Sequence, residues 1–113
     1  MQKKLAQPIE TYFYASNIPD NELIVNCFTE DAIVLDEGHT YRGHAAIRKW
    51  RDDVTEQWTI TTEITGVAEK GGETVVTATV SGNFDGSPVP LDFHFTVENE
   101  KITALRIVLA GTE

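Results

Sequence analysis

The hydrophobic pattern of this chain changes period at Thr59. Upstream, apolar residues recur at helical spacing; downstream they alternate. Ile9, Tyr12, Phe13 and Ser16 define a first helical stripe, and Pro8 suits its first turn. Ile18-Pro19-Asp20 ends that helix, and Asp20 is placed to cap a second one striped by Leu23, Ile24, Cys27 and Phe28. Residues 32–35 read as a short strand, Asp36-Glu37-Gly38-His39 as a turn, and residues 40–42 as the return. After Gly43 a third helix is expected, with Ile47, Trp50, Arg51, Val54 and Trp58 on one face.

Beyond Thr59, Ile60, Thr62 and Ile64 alternate up to the hairpin turn Lys70-Gly71-Gly72-Glu73. Val76, Ala78, Val80 and Phe84 share a face of the next strand, and Asp85-Gly86-Ser87 turns again. Leu91, Phe93, Phe95 and Val97 line the third, and after Glu98-Asn99-Glu100 the last carries Leu105, Ile107 and Leu109. Hairpins join neighbouring strands antiparallel, and one apolar face per strand asks for helices on one side only. The expected fold is therefore α+β, a curved antiparallel sheet wrapped around three helices from the N-terminal half. A sheet that curls this far makes a cone, and a cone can enclose a deep, mostly apolar pocket. A fully packed core would satisfy the same pattern.

At 113 residues the chain has room for one domain and one core, spanning residues 1–113. Eighteen Asp and Glu against nine Lys and Arg argue against nucleic acid and against anionic membrane surfaces. The same balance gives an anionic substrate no long-range attraction. No apolar run approaches the roughly 20 residues of a membrane span. The basic start, Met1 to Lys4, has no apolar stretch behind it and does not read as a secretory signal. Cys27, the single cysteine, forms no intrachain disulfide, and the cytoplasm is the expected compartment.

Two residues stand out chemically. Asp36 follows an apolar run, and alternation that turns Val34 inward turns Asp36 inward too. There burial would raise its pKa into the range of a useful base. Its local sequence is equally ordinary turn chemistry. Tyr12 borders the stripe of the first helix; its hydroxyl either reaches the surface or points into a cavity, where it could donate to a substrate oxygen. His39, His44 and His94 match no metal-site spacing, so no metal is expected. Cys27 reads as core. Trp50 and Trp58 are core or pocket wall, and Gly71, Gly72 and Gly82 are strand or turn glycines rather than a phosphate cradle.

Residues 12–36, with Tyr12-Phe13-Tyr14-Ala15 and Thr29-Glu30-Asp31-Ala32-Ile33-Val34-Leu35-Asp36, resemble the opening of ketosteroid isomerases. The same pattern is found in the wider SnoaL-like and nuclear-transport-factor-2-like superfamily. Gly43-His44-Ala45-Ala46-Ile47 resembles that group's opening of the third helix, and the later strands are similar to the SnoaL-like branch. The resemblance implies a cystatin-like α+β barrel and a homodimer formed through the outer sheet face, near Thr77, Thr79 and Thr103. It also implies Asp36 as the proton-moving carboxylate and Tyr12 as the donor to the substrate oxygen. In the isomerases a second acid is held neutral to complete the oxyanion hole. By resemblance that acid would fall on Asp92, but Asp92 alternates with His94 and Thr96, away from the cavity.

The resulting expectation is proton transfer beside the carbonyl of a small apolar compound, of isomerase or cyclase type and with no cofactor. Phe13, Trp50, Trp58, Phe93, Phe95, Leu105 and Ile107 are the expected pocket walls. The alternative is a ligand-binding or dimerisation module of the same fold without turnover.

Overall fold

A computed structural model describes residues 5–111; the basic start, Met1 to Lys4, lies outside the described residues. The elements run α1 (Gln7–Asn17), α2 (Asn21–Val25), β1 (Phe28–Asp36), β2 (His39–Arg42), α3 (Gly43–Gln57), β3 (Ile60–Lys70), β4 (Glu73–Gly82), β5 (Val89–Glu98) and β6 (Lys101–Leu109). Among these residues no helix is long and apolar enough to cross a membrane.

Pro8 sits in the first turn of α1, where its missing N–H costs nothing. The helix buries Ile9, Tyr12, Phe13, Ala15 and Ser16. Asp20 caps α2, its Oδ1 accepting from the Leu23 amide at 3.1 Å. That helix stops at Val25, so Cys27 and Phe28 do not continue its stripe. The Cys27 carbonyl accepts from the Ile102 amide at 2.8 Å, and Phe28 opens β1 opposite Ile102. A backbone committed to that ladder cannot stay helical. β1 is longer than its apolar run because polar Thr29, Glu30 and Asp31 extend it, with an irregular register between Phe28 and Ile33.

The six strands form one curved sheet in the order β2-β1-β6-β5-β4-β3. Every hairpin-joined pair is antiparallel, but β1 and β6 run parallel. No turn links those two strands, so nothing local dictates their relative direction. Helices cover the concave face, and the core includes Ile9, Phe28, Ile47, Val76, Phe95, Ile102 and Leu105. Fully burying side chains of this size contributes about 1.5–3 kcal/mol each before entropy is counted.

Two contacts close the cone at its β3 edge. The Asn17 side chain bonds both backbone groups of Thr62, donating to its carbonyl at 3.0 Å and accepting from its amide at 2.7 Å. One side-chain amide thus occupies edge-strand positions that would otherwise invite another strand. At Gly82 any Cβ would lie 2.6 Å from the Thr59 carbonyl oxygen and 2.9 Å from Ile60 Cγ2. Only glycine lets β3 and β4 approach that closely.

Candidate active site

The open end of the cone holds a cavity of about 910 Å³, within the usual range for small-molecule sites. Its position follows from the strand registers. Val80 faces Val89, Leu91 faces Leu109, Phe93 faces Ile107, and Asp36 lies beside Ile107 on the other flank. These residues all border the cavity. One alternation step deeper, Phe95 pairs with Leu105 and both are fully buried core.

Tyr12, Asp36, Trp50, Trp58, Phe93 and Ile107 line the cavity. Phe13, Phe95 and Leu105, expected as walls, do not line it. They sit toward the closed end, where the Phe13 ring packs edge-on against Phe93 and Phe95 with centroids 5.1 and 5.8 Å away. Period decides which face a side chain takes, but not how far along the cone it lies. Asp92 stands on the outer face, accepting from Thr77 Oγ1 at 2.6 Å and from the Gly111 amide at 3.4 Å. It is no second acid for this cavity.

Ala32, Val34 and Asp36 share the inward face of β1, and the Glu37-Gly38 turn beyond adopts positive φ angles of 54° and 78°. The Trp50 indole N–H donates to Asp36 Oδ2 at 3.0 Å, fixing the plane in which the carboxyl can take a proton. Trp50 is itself stacked on Tyr41, with centroids 5.9 Å apart. Burial pushes the Asp36 pKa above the ordinary carboxylate range. The indole hydrogen bond opposes that rise, Glu37 adds to it, and Arg51 and His39 work against it.

The Tyr12 ring is wedged edge-on among Phe13, Phe28, Phe93 and Phe95, at centroid distances of 5.2 to 6.2 Å. Burial pushes its pKa up to about 12, against the pull of the Arg51 guanidinium, so the phenol keeps its proton at neutral pH. The site can therefore offer a proton acceptor and a proton-bearing donor to one guest.

Arg51 is the polar residue whose chemistry the sequence pattern does not reveal. It is 3% exposed, lines the same cavity, and lies over the Trp50 ring with Cζ 5.3 Å from the centroid. The one available signal is a charge within the buried stripe of Ile47, Trp50 and Val54. Phe84 and Val89 also border the cavity, outside the expected set of walls.

The remaining candidates lie elsewhere. His44 Nε2 donates to the Phe28 carbonyl at 2.8 Å, tying α3 to β1. His94, expected on the polar face, is on the outer side yet buried, between Val75 and Arg106 in register, with Nδ1 3.2 Å from Glu73. Among the described residues no cluster of three metal-ligating side chains occurs. Cys27 is buried, and burial raises its thiol to about 11.

A SnoaL-like domain profile matches residues 9–105, most of the chain. The chain belongs to the SnoaL-like family. Its fold matches a candidate polyketide cyclase of Sinorhizobium meliloti at 33% identity and a TM-score of 0.87, covering 92% of this chain and 95% of that one. A ketosteroid isomerase-like protein of Catenulispora acidiphila, crystallised with trimethylamine, superposes with a TM-score of 0.82 at 18% identity, over 96% of this chain and 88% of that one. An epoxide hydrolase of M. tuberculosis, at 15% identity, gives 0.75 over 92% and 80%. No curated protein matches the sequence. Within this SnoaL-like fold, the last two likenesses concern the architecture alone, because one scaffold of this kind hosts many chemistries.

Proposed function

We propose that the cavity carries out proton transfer beside the carbonyl of a small, largely apolar compound. Asp36 removes a proton from the adjacent carbon. The C–H electron pair passes to the carbonyl oxygen, and the Tyr12 hydroxyl donates to the enolate so formed. Asp36 then returns the proton to carbon, at the same or another position. The observation that carries this reading is the placement of an indole-held, desolvated carboxylate on the wall of a cavity that Tyr12 also borders.

Both groups suit the task. A carboxyl with a raised pKa is a stronger base once ionised, and a phenol that stays protonated is a competent donor. The Trp50 and Trp58 rings stand in the wall rather than filling the space, which favours a guest over a plugged module. Kinship with a candidate polyketide cyclase fits a carbonyl substrate. The proposal includes a homodimer through the outer sheet face; a monomer mass in equilibrium sedimentation would remove it.

The direct test is deuterium exchange into 2-tetralone, a small ketone with acidic α-hydrogens, followed by NMR. Exchange above the buffer rate is expected with the unaltered protein and is expected to vanish in Asp36→Asn. Equal exchange by the two proteins would exclude Asp36 from the chemistry.

A further inference from the structure

Arg48 and Arg51 lie one turn apart on α3, and their guanidinium groups are used differently. Arg48 grips Glu22 through adjacent nitrogens, Nε to Oε2 at 2.6 Å and Nη2 to Oε1 at 3.1 Å. This is the two-pronged match between a guanidinium edge and the two oxygens of a carboxylate. In Arg51 the same two nitrogens, Nε and Nη2, are shut off from water and have no hydrogen-bond partner. Asp36 is near enough for its charge to be felt, but its Oδ2 is engaged by the Trp50 indole.

A buried cation with open donor positions is a costly arrangement. The Tyr12 hydroxyl, the Asp36 charge and the Trp50 ring offset part of its desolvation, but the two unused donors leave that compensation incomplete. An anion arriving from the cavity would supply what the protein withholds. The geometry points to Arg51 as a carboxylate receptor inside the cavity, so that the natural ligand carries an acid group on an otherwise apolar body. The inference rests on the reading of this cavity as the working site, and it names the substrate class: a keto acid rather than a neutral ketone.

The pocket supports that body plan. Ile60, Val80, Phe84, Val89 and Leu91 give it apolar walls, while Arg51 is the cation among the residues lining it. Asp36, Glu37 and Asp85 border the same space and would repel an acid that did not reach the guanidinium. Orientation follows: carboxylate at Arg51, with the ketone left for Tyr12 and Asp36. Seating the acid requires the guanidinium, now over the Trp50 ring, to swing slightly toward the cavity it already lines.

The test uses flat probes that cannot enolise, so it is independent of turnover. Binding of 2-naphthoate and of neutral 2-naphthamide is measured by calorimetry on the full chain. The unaltered protein is expected to prefer the acid by about tenfold or more, as suits a charge-assisted two-pronged contact. Arg51→Met keeps an apolar stem of similar reach and is expected to abolish the preference, whereas Arg51→Lys retains part of it. Asp36→Asn is expected to keep or strengthen it, since a repelling charge is gone. Equal binding of the two probes, no binding of either, or a preference surviving in a folded Arg51→Met protein would each overturn the assignment. Loss of 2-tetralone exchange without loss of acid preference would leave the receptor standing and remove only the enolisation chemistry.

Discussion

The two sides of the sheet carry similar polar inventories arranged to opposite effect. On the outer face Asp92 is satisfied by Thr77 and Gly111, while Glu73 lies 3.2 Å from His94 and 3.7 Å from Arg106. Acid, imidazole and guanidinium there answer one another. Inside the cone, Asp36 has a raised pKa, Tyr12 is lifted to about 12, and two nitrogens of Arg51 have no partner. The outer groups pair with one another, whereas inside the cone Asp36 and Tyr12 are desolvated though hydrogen-bonded, and Arg51 keeps two donors unused. Groups whose titration is perturbed beside a cavity coincide with functional sites often enough to make this face the one to test.

The sharpest way to break this contrast is to neutralise the two aspartates separately. Asp36→Asn should cut proton-exchange turnover by about 10²–10⁴, the usual worth of a positioned base. Asp92→Asn should leave turnover within about twofold, because the outer acid touches no guest; such changes belong to local stability rather than chemistry. Comparable losses in both variants would erase the distinction between the faces.

Tyr12→Phe comes next. It removes the donor and keeps the aromatic packing, so turnover should fall by about 10²–10³ with little change in thermal stability. Steady-state exchange rates and a melting curve, taken together, separate this from a packing defect.

A smaller effect concerns Trp50→Phe. Losing the indole N–H takes away the hydrogen bond that favours the ionised carboxyl, so the Asp36 pKa should rise further. The acid-side limb of the pH–rate profile, where activity rises as Asp36 ionises, should then move to higher pH. A pH–rate profile that does not move would show the indole to be scaffolding only.

The smallest expected effect is on folding. The folded carboxyl has a higher pKa than the unfolded one, so in the intervening pH range the native state binds more protons and stability falls as pH rises. That loss is complete above the folded pKa. Asp36→Asn should therefore be more stable than the parent at neutral pH, with the gain vanishing below about pH 3.9, where the unfolded carboxyl is also protonated. Denaturant melts at the two pH values check it; Asp92→Asn gives the comparison from the outer face.

Much of this architecture is legible in the sequence. Pro8, the Asp20 cap and the glycine turn at Gly71-Gly72 are local chemistry, and they lie where local rules put them. The directions in which Asp36 and Asp92 point follow from alternation alone. Less visible are the length of β1, hidden by Thr29, Glu30 and Asp31, and the end of α2, decided by pairing with β6. Arg51 reads as one more residue on the buried face of α3, and a helical pattern cannot say whether a guanidinium finds a partner.

The sequence by itself determined the order and type of the helices and strands and most of the inward faces, because these depend on periods of a few residues, though not where α2 ends or β1 begins. Tertiary structure decided the parallel pairing of β1 with β6 and the split between plug and wall, with Phe95 and Leu105 buried and Phe93 and Ile107 left bordering the cavity. It also decided that two donors of Arg51 stay open. Each of these is a distance between segments far apart in the chain, set by how tightly the sheet curls around its helices, and no local pattern encodes it.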